Sequence, residues 1–241
     1  MLLRVIDFEC TGLKPPEAAI CEIGWTDVRT FESDPAEIGD AQSMLVNPGH
    51  PIPPAARGVH HISDRDVRDA PPPGQAVIAL MQSGSDGRAP DVFVAHNAAY
   101  DQQFFGGGAI PWICTRKVAF RLWPEAPDHK NQTLRYWLNV DAQNEFDSRQ
   151  AMPSHRAGPD TYVTAHLILK ALELTTVEQM IEWTRQPSLL PGAIHFGKHK
   201  GTPWSQVDPS YLEWLLKQVD MDPDVKCTAR HWLSRRRADD R

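Results

Sequence analysis

Asp7 and Glu9 stand one residue apart in the apolar run LLRVIDFEC, a stretch that otherwise reads as a buried strand. Side chains along a strand alternate faces, so the two carboxylates share a side, with Cα atoms roughly 6.5–7 Å apart at about 3.3 Å per residue. Close like charges raise each other's pKa unless a cation neutralises them, so the pair can converge on one metal ion. About one D-x-E is expected by chance in a chain with 31 acidic residues, so its weight comes from the groups that accompany it. Asp101 follows a compact apolar run in VAHNAAYD, and His155 stands five residues before Asp160 in HRAGPD.

The elements that must position these residues follow from pattern. LLRVIDFE and AICEIGWTDVRT read as strands joined across the turn GLKPPEA, and QSMLVNP reads as a third. Connections this short suit antiparallel neighbours, since a parallel crossover needs a helix. PGHPIPPAARGVHHISDRDV is Pro-rich and irregular, GQAVIALMQSG is helical, and DVFVAHN is a strand covered on both faces. A helix is expected through AAYDQQFF, placing Asp101 near its start, and others over TLRYWLNV and PDTYVTAHLILKALEL, the last with Val163, Leu167 and Leu174 at helical spacing. TRQPSLLPG reads as a linker between two prolines. DPSYLEWLLKQ and DPDVKCTARHWL each begin with Asp-Pro, a good helix start, and are expected to share a small core with Trp204 and Trp214.

The 241 residues, 41% hydrophobic, can bury one substantial core with a small satellite. No apolar stretch is long enough to span a bilayer, Asp7 interrupts any apolar leader, and the cytoplasm is the expected compartment with no membrane partner. Four scattered cysteines, Cys10, Cys21, Cys114 and Cys227, fit neither a zinc site nor a disulfide framework. The net charge of −6 does not exclude a polyphosphate partner, because acids that hold divalent cations reverse the local field. From Leu190 onward, nine Lys and Arg face seven Asp and Glu.

DFECTGL, AHNAAYD and HRAGPD, in this order and separation, resemble the three motifs of the DnaQ-like exonuclease family with the Asp-Glu-Asp-Asp-His (DEDDh) signature. The resemblance implies an α/β fold with a ribonuclease-H-like mixed sheet flanked by helices. GVHHIS, WICTRKVAFRLWP and the tail FGKHKGTPWSQVDPSYLEWL point to a branch that adds a small, mostly helical C-terminal module. The expected organisation is an exonuclease domain over 1–175, a linker region over 176–193 and the module over 194–241. The implied activity is 3′-to-5′ exodeoxyribonuclease cleavage releasing nucleoside 5′-monophosphates, with a role in DNA repair. Single-stranded or frayed DNA 3′ ends are the implied partner. An RNA-trimming exonuclease and a catalytically silent nucleic-acid-binding or scaffold protein are the alternatives, and both monomer and homodimer stay open.

In the family's arrangement Asp7 bridges two metals, Glu9 and Asp160 complete one site, Asp101 supports the other, and His155 is the general base. Oxygen ligands favour Mg²⁺ or Mn²⁺, and two such ions about 3.5–4 Å apart suit phosphodiester hydrolysis. By the same resemblance Cys10, Thr11 and Gly12 hold the terminal nucleotide, Leu13 wedges against the last base, Asn97 positions the scissile strand and His60 lies near the nucleotide. Lys198 and Lys200 flank His199 in a basic turn suited to phosphate. Gly158 and Pro159 depart from the family pattern, as does Cys10 in place of a common threonine. Proline remains acceptable in a first helical turn.

Overall fold

The first strand, β1 (Leu2–Cys10), lies at the centre of a six-stranded mixed sheet. In this computed structural model, which describes residues 1–32, 34–82, 88–142 and 146–239, β1 pairs antiparallel with β2 (Ile20–Arg29) and parallel with β5 (Val92–Ala95). Two short strands, β3 (Glu37–Ile38) and β4 (Gln42–Leu45), both pair with β2, and β6 (Trp112–Cys114) closes the far edge beside β5. The short β1–β2 and β2–β4 connections are antiparallel, as their length requires.

Alternation along β1 sorts its side chains between two layers. Leu3 and Val5 face a core built with α4 (Thr115–Leu122), α5 (Asn131–Trp137), α6 (Ala157–Leu172) and α7 (Val177–Arg185). Ile6, Phe8 and Cys10 face the other layer with Ala76 and Leu80 of α2 (Pro73–Gln82), against which Phe104 and Phe105 also pack. By parity Asp7 and Glu9 belong to the α6 side, which is where Asp160 resides.

Several elements differ from expectation. The Pro-rich stretch contains a helix, α1 (Pro54–His60), whose proline at the first helical position is a start signal that the surrounding prolines mask. The helix expected through AAYDQQFF is only one turn, α3 (Asp101–Phe104). Leu174 lies past the end of α6 and is exposed, so the apolar stripe of α6 ends earlier than expected.

The stretch 176–193, expected as linker, begins with α7, whose Val177 and Met180 are buried in the main core. The residues that follow are strapped down. Lys117 donates to the Gln186 carbonyl, Arg121 to Ser188 Oγ at 2.7 Å, Ser188 N–H to Asp224 at 2.7 Å and Leu190 N–H to Thr228 Oγ1 at 2.8 Å. The C-terminal module packs α8 (Pro209–Lys217) and α9 (Pro223–Asp239) around Trp204, Leu212, Leu215, Val225 and Ala229. Trp214 is not part of that core and is 48% exposed. In the basic run near the C-terminus, Arg236 donates to the Ser205 carbonyl at 2.7 Å, and the side chain of Arg237 lies outside the described residues.

Candidate active site

Asp7 and Glu9 occupy the end of β1 beyond its pairing with β5, where Asp7 lies opposite Gly24 and Glu9 opposite Glu22. Gly24 permits the approach that completes the site. A Cβ there would collide with the Ala157 carbonyl, so only glycine lets the first turn of α6 rest on the strand backbone. Thr26 Oγ1 donates to Thr161 Oγ1 at 2.9 Å and fixes the same contact one turn on. Pro159 sits within that first turn, while Asp160 N–H reaches the Arg156 carbonyl.

Asp160 is held from three directions. His155 N–H donates to its Oδ2 at 2.8 Å, Gln132 Nε2 to its Oδ1 at 3.3 Å, and Asn131 Nδ2 to its backbone carbonyl. Buried Arg135 orients Gln132 through its Oε1 and anchors to Asp141. His155 itself has φ of 59°, a sparsely populated conformation for a residue with a Cβ, and the Asp160 contact helps hold it there. Its imidazole is exposed, and ligand atoms of Glu9, His155 and Asp160 lie within 4.8 Å of one another.

Asp101 begins α3 and is 2% exposed; its Oδ1 has no hydrogen-bond partner among the described residues. Burial and the neighbouring acids Glu9, Asp101, Asp160 and Glu22 push Asp7 well above the usual carboxylate range. Burial, then Asp160 and Glu22, push Glu9 up to about 8, and burial carries Asp101 up to about 8. Asp160 is raised by burial against the pull of the His155 and Gln132 hydrogen bonds. Among the described residues no Lys or Arg forms an ion pair with any of these four acids. A buried, like-charged oxygen set with an unpartnered carboxylate oxygen fits hard divalent cations.

Glu22 and Arg156 were not singled out in the sequence, although Glu22 carries the same signal as Asp7, an acid within an apolar strand. Glu22 is 1% exposed and grips Arg156 by two hydrogen bonds, Nε–Oε2 2.9 Å and Nη2–Oε1 2.6 Å, while Ala157 N–H donates to its Oε2 at 3.0 Å. It thereby ties down the junction between His155 and the start of α6. His96, also missed, holds Thr115 Oγ1 and the His129 carbonyl, and burial pushes it down to about 4, so it is neutral at pH 7.

The remaining expected residues divide. Asn97, exposed with φ of 74°, accepts from Arg116 at 3.3 Å and lines the same cleft as Asp7, His155 and Asp160. That cleft, about 990 Å³, runs between His96–Asn97, Arg116, Phe120 and 126–133 on one side and Leu190–His195 with Lys200 and Gly201 on the other. Leu13 is 83% exposed, not core. Cys10 and Thr11 are buried; Thr11 spends its N–H and hydroxyl on Ala19, and Tyr100 O–H donates to the Gly12 carbonyl at 2.9 Å.

His60 does not line that cleft. It is 2% exposed, its Nδ1 accepts from Ile62 N–H at 3.0 Å, and its Nε2 therefore carries the proton toward Cys21 Sγ at 3.6 Å. Cys21 in turn donates to the Glu9 carbonyl at 3.2 Å. His60 supports the strand under Glu9 and has no ring nitrogen left for a ligand. Lys200 lines the cleft, whereas Lys198 lies over the Tyr211 ring at 5.2 Å and does not.

An exonuclease family profile matches residues 5–168. Exodeoxyribonuclease 10 of Escherichia coli (strain K12) is 34% identical over 238 residues, covering 96% of this chain and 99% of that protein. The solved structure of exonuclease X in complex with 5′ overhanging duplex DNA is 32% identical with a TM-score of 0.60, covering 76% of this chain and 99% of that one. The nuclease domain of 3′hExo, a DEDDh family member bound to rAMP, shares the fold at 20% identity and a TM-score of 0.54 over 71% of this chain and 92% of that one.

Proposed function

Because the chain belongs to the DnaQ-like exonuclease family, we propose that it removes nucleoside 5′-monophosphates from the 3′ ends of DNA, acting on single-stranded or frayed ends in DNA repair. The observation that carries this reading is the gathering of Asp7, Glu9, Asp101 and Asp160 beside an exposed His155, with Asp7, His155 and Asp160 lining one cleft. The four carboxylates would hold two divalent cations, Mg²⁺ or Mn²⁺, which activate water and neutralise charge on the attacking and leaving oxygens.

The chain's own groups do the rest. His155, its backbone fixed by Asp160, takes the proton from the attacking water at an imidazole nitrogen. Asn97 and Arg116 stand where the scissile strand would pass, offering an amide and a guanidinium to its phosphates. Leu13, projecting from the turn after β1, gives an apolar face for the terminal base, and the Cys10–Gly12 backbone, bonded by Ala19 and Tyr100, holds that turn in place. The naming of the DNA-bound relative supports DNA over RNA as substrate.

End-labelled DNA and RNA oligonucleotides, incubated with Mg²⁺ and again with chelator, test this directly. The expected result is stepwise shortening of DNA from the 3′ end that chelator stops. Faster loss of RNA would favour the RNA-trimming alternative, and no cleavage of either would favour a silent binding protein.

A further inference from the structure

The C-terminal module does more than pack beside the exonuclease domain. Its residues Ile194, His195, Lys200 and Gly201, with the preceding Leu190–Ala193, line the cleft that also holds Asp7 and Asp160. His195 and Lys200 are exposed there, and Arg116 and Lys130 line the cleft as well. Lys130 also approaches Asp128 at 3.5 Å, so Lys200 and Arg116 are the stronger phosphate partners.

From Lys200 the surface leads to an aromatic stack. The adjacent His199 lies 4.4 Å from the Tyr211 ring, and Tyr211 stacks on Trp214 at 5.2 Å with planes 22° apart. Lys198 sits over the same Tyr211. Gly197, with φ of 62°, makes this arrangement possible, because a Cβ there would meet the Tyr211 hydroxyl at 2.5 Å. Trp214, outside the module's core, therefore presents a half-exposed indole backed by a second ring and bordered by cations. A positive track interleaved with aromatic faces is what a single strand requires, since every base has a face to stack and every linkage a phosphate to neutralise.

We propose that the module carries a single-stranded DNA site, in which Lys200 contacts the backbone of the strand leading into the acids and Trp214 stacks a base farther from the 3′ end. The site rests on the exonuclease reading given above and extends it to the substrate's upstream segment. It makes affinity depend on strand length, because a strand that fills only the floor of the cleft does not reach Trp214.

The test measures anisotropy of fluorescein-labelled oligothymidylates of about three and about sixteen nucleotides on the full chain in chelator, where nothing is cut. Trp214→Ala should weaken the long strand about 5- to 150-fold and leave the short one unchanged, and Trp214→Phe should keep most of the affinity. Lys200→Ala should flatten the log–log salt dependence by about 0.7 for the long strand. Wild-type affinity for the long strand in Trp214→Ala and Lys200→Ala, or equal losses for both lengths, overturns the proposal while leaving the nuclease reading intact. A wild-type protein that binds the long strand as described but cuts no DNA in Mg²⁺ overturns the nuclease reading instead.

Discussion

The strand β1 buries charge on both of its faces and treats the two in opposite ways. On the α2 face Arg4, fully buried, pairs with both oxygens of Asp27 at 2.7 and 2.8 Å and donates its third bond to the Leu80 carbonyl at 2.5 Å. On the α6 face Asp7 and Glu9 lie among further acids, with Arg156 opposing but not cancelling the effect on Glu9, and their pKa values rise together. Leaving a charge buried without a partner costs several kcal/mol, so the first face is internally complete, while the second must take up protons or a cation from solution. A protein's structural charges and its functional ones can thus be told apart by who satisfies them.

Removing an acid from the incomplete face gives the largest effect. Asp7→Asn should abolish cleavage, yet the chelated variant should melt a few degrees higher than the wild type, because one source of repulsion is gone. A scan of activity and thermal melting checks both halves. If Asp7→Asn lowers the melting temperature, the acid face is held by contacts of its own and the contrast between the faces fails.

On the complete face the order of effects is reversed. Arg4→Ala removes the charge paired with Asp27 and both hydrogen bonds to it and should cost about 3–5 kcal/mol in urea unfolding, while turnover per folded molecule stays near wild type. A comparable loss of kcat without loss of stability would show that Arg4 shapes the acid site through the strand.

The two faces were not equally legible in the sequence. Alternation alone puts Asp7 and Glu9 on one side, and the spacing of DFECTGL, AHNAAYD and HRAGPD is local enough to read directly. The partners of Arg4 and Glu22 depend on strand register and on where α6 lands, with Glu22 and Arg156 134 residues apart in sequence. The burial of His60 depends on α1, which the surrounding prolines hid, and the separation of Lys198 from Lys200 depends on a left-handed turn at Gly197. The prolines that bracket TRQPSLLPG mark a break in the chain, but the burial of Val177 and Met180 in α7 just before it depends on tertiary packing that no local signal carries.

A smaller effect sharpens the contrast through pH. Glu9 and Asp101 are raised to about 8, so between pH 6.5 and 8 the metal-free native state binds more protons than the unfolded chain, whose carboxylates titrate near 4. Stability in chelator should therefore fall as pH rises through that window, by of order 1–3 kcal/mol. Buried His96 and His166, depressed to about 4, with His60 and His129 also depressed, act in the opposite sense as pH falls through the unfolded value near 6.5, so they offset part of the slope at the lower end of the window and leave it steepest between about pH 7 and 8. Mg²⁺ at about a hundred times its Kd should add about 2.7 kcal/mol and remove the slope. Melting curves that are flat from pH 6.5 to 8 in chelator would mean that the acids already have a counter-charge.

The smallest expected effect lies where the two regimes meet. Glu22 is opposite Glu9 on the neighbouring strand and contributes to the field that raises it, yet Glu22 is itself fully paired, to Arg156 and to Ala157 N–H. It belongs to the complete kind of charge while standing beside the incomplete kind, and its work is to hold the backbone that presents His155. Glu22→Gln keeps the shape and can still accept from Ala157, but it leaves Arg156 without its counter-charge. Because the Arg156 side chain is partly exposed and can rehydrate, the stability loss should be near 1 kcal/mol, at the low end for a broken charged hydrogen bond. The displaced His155 should lower kcat by about tenfold, less than the 10²–10⁴ expected when the base itself is removed, with KM for a short oligonucleotide unchanged. Glu22→Ala, which loses the Ala157 contact too, should lose more of both. If Glu22→Gln keeps full kcat, the His155 turn is positioned by Asp160 alone, and the paired charge beside the acid cluster serves only the sheet.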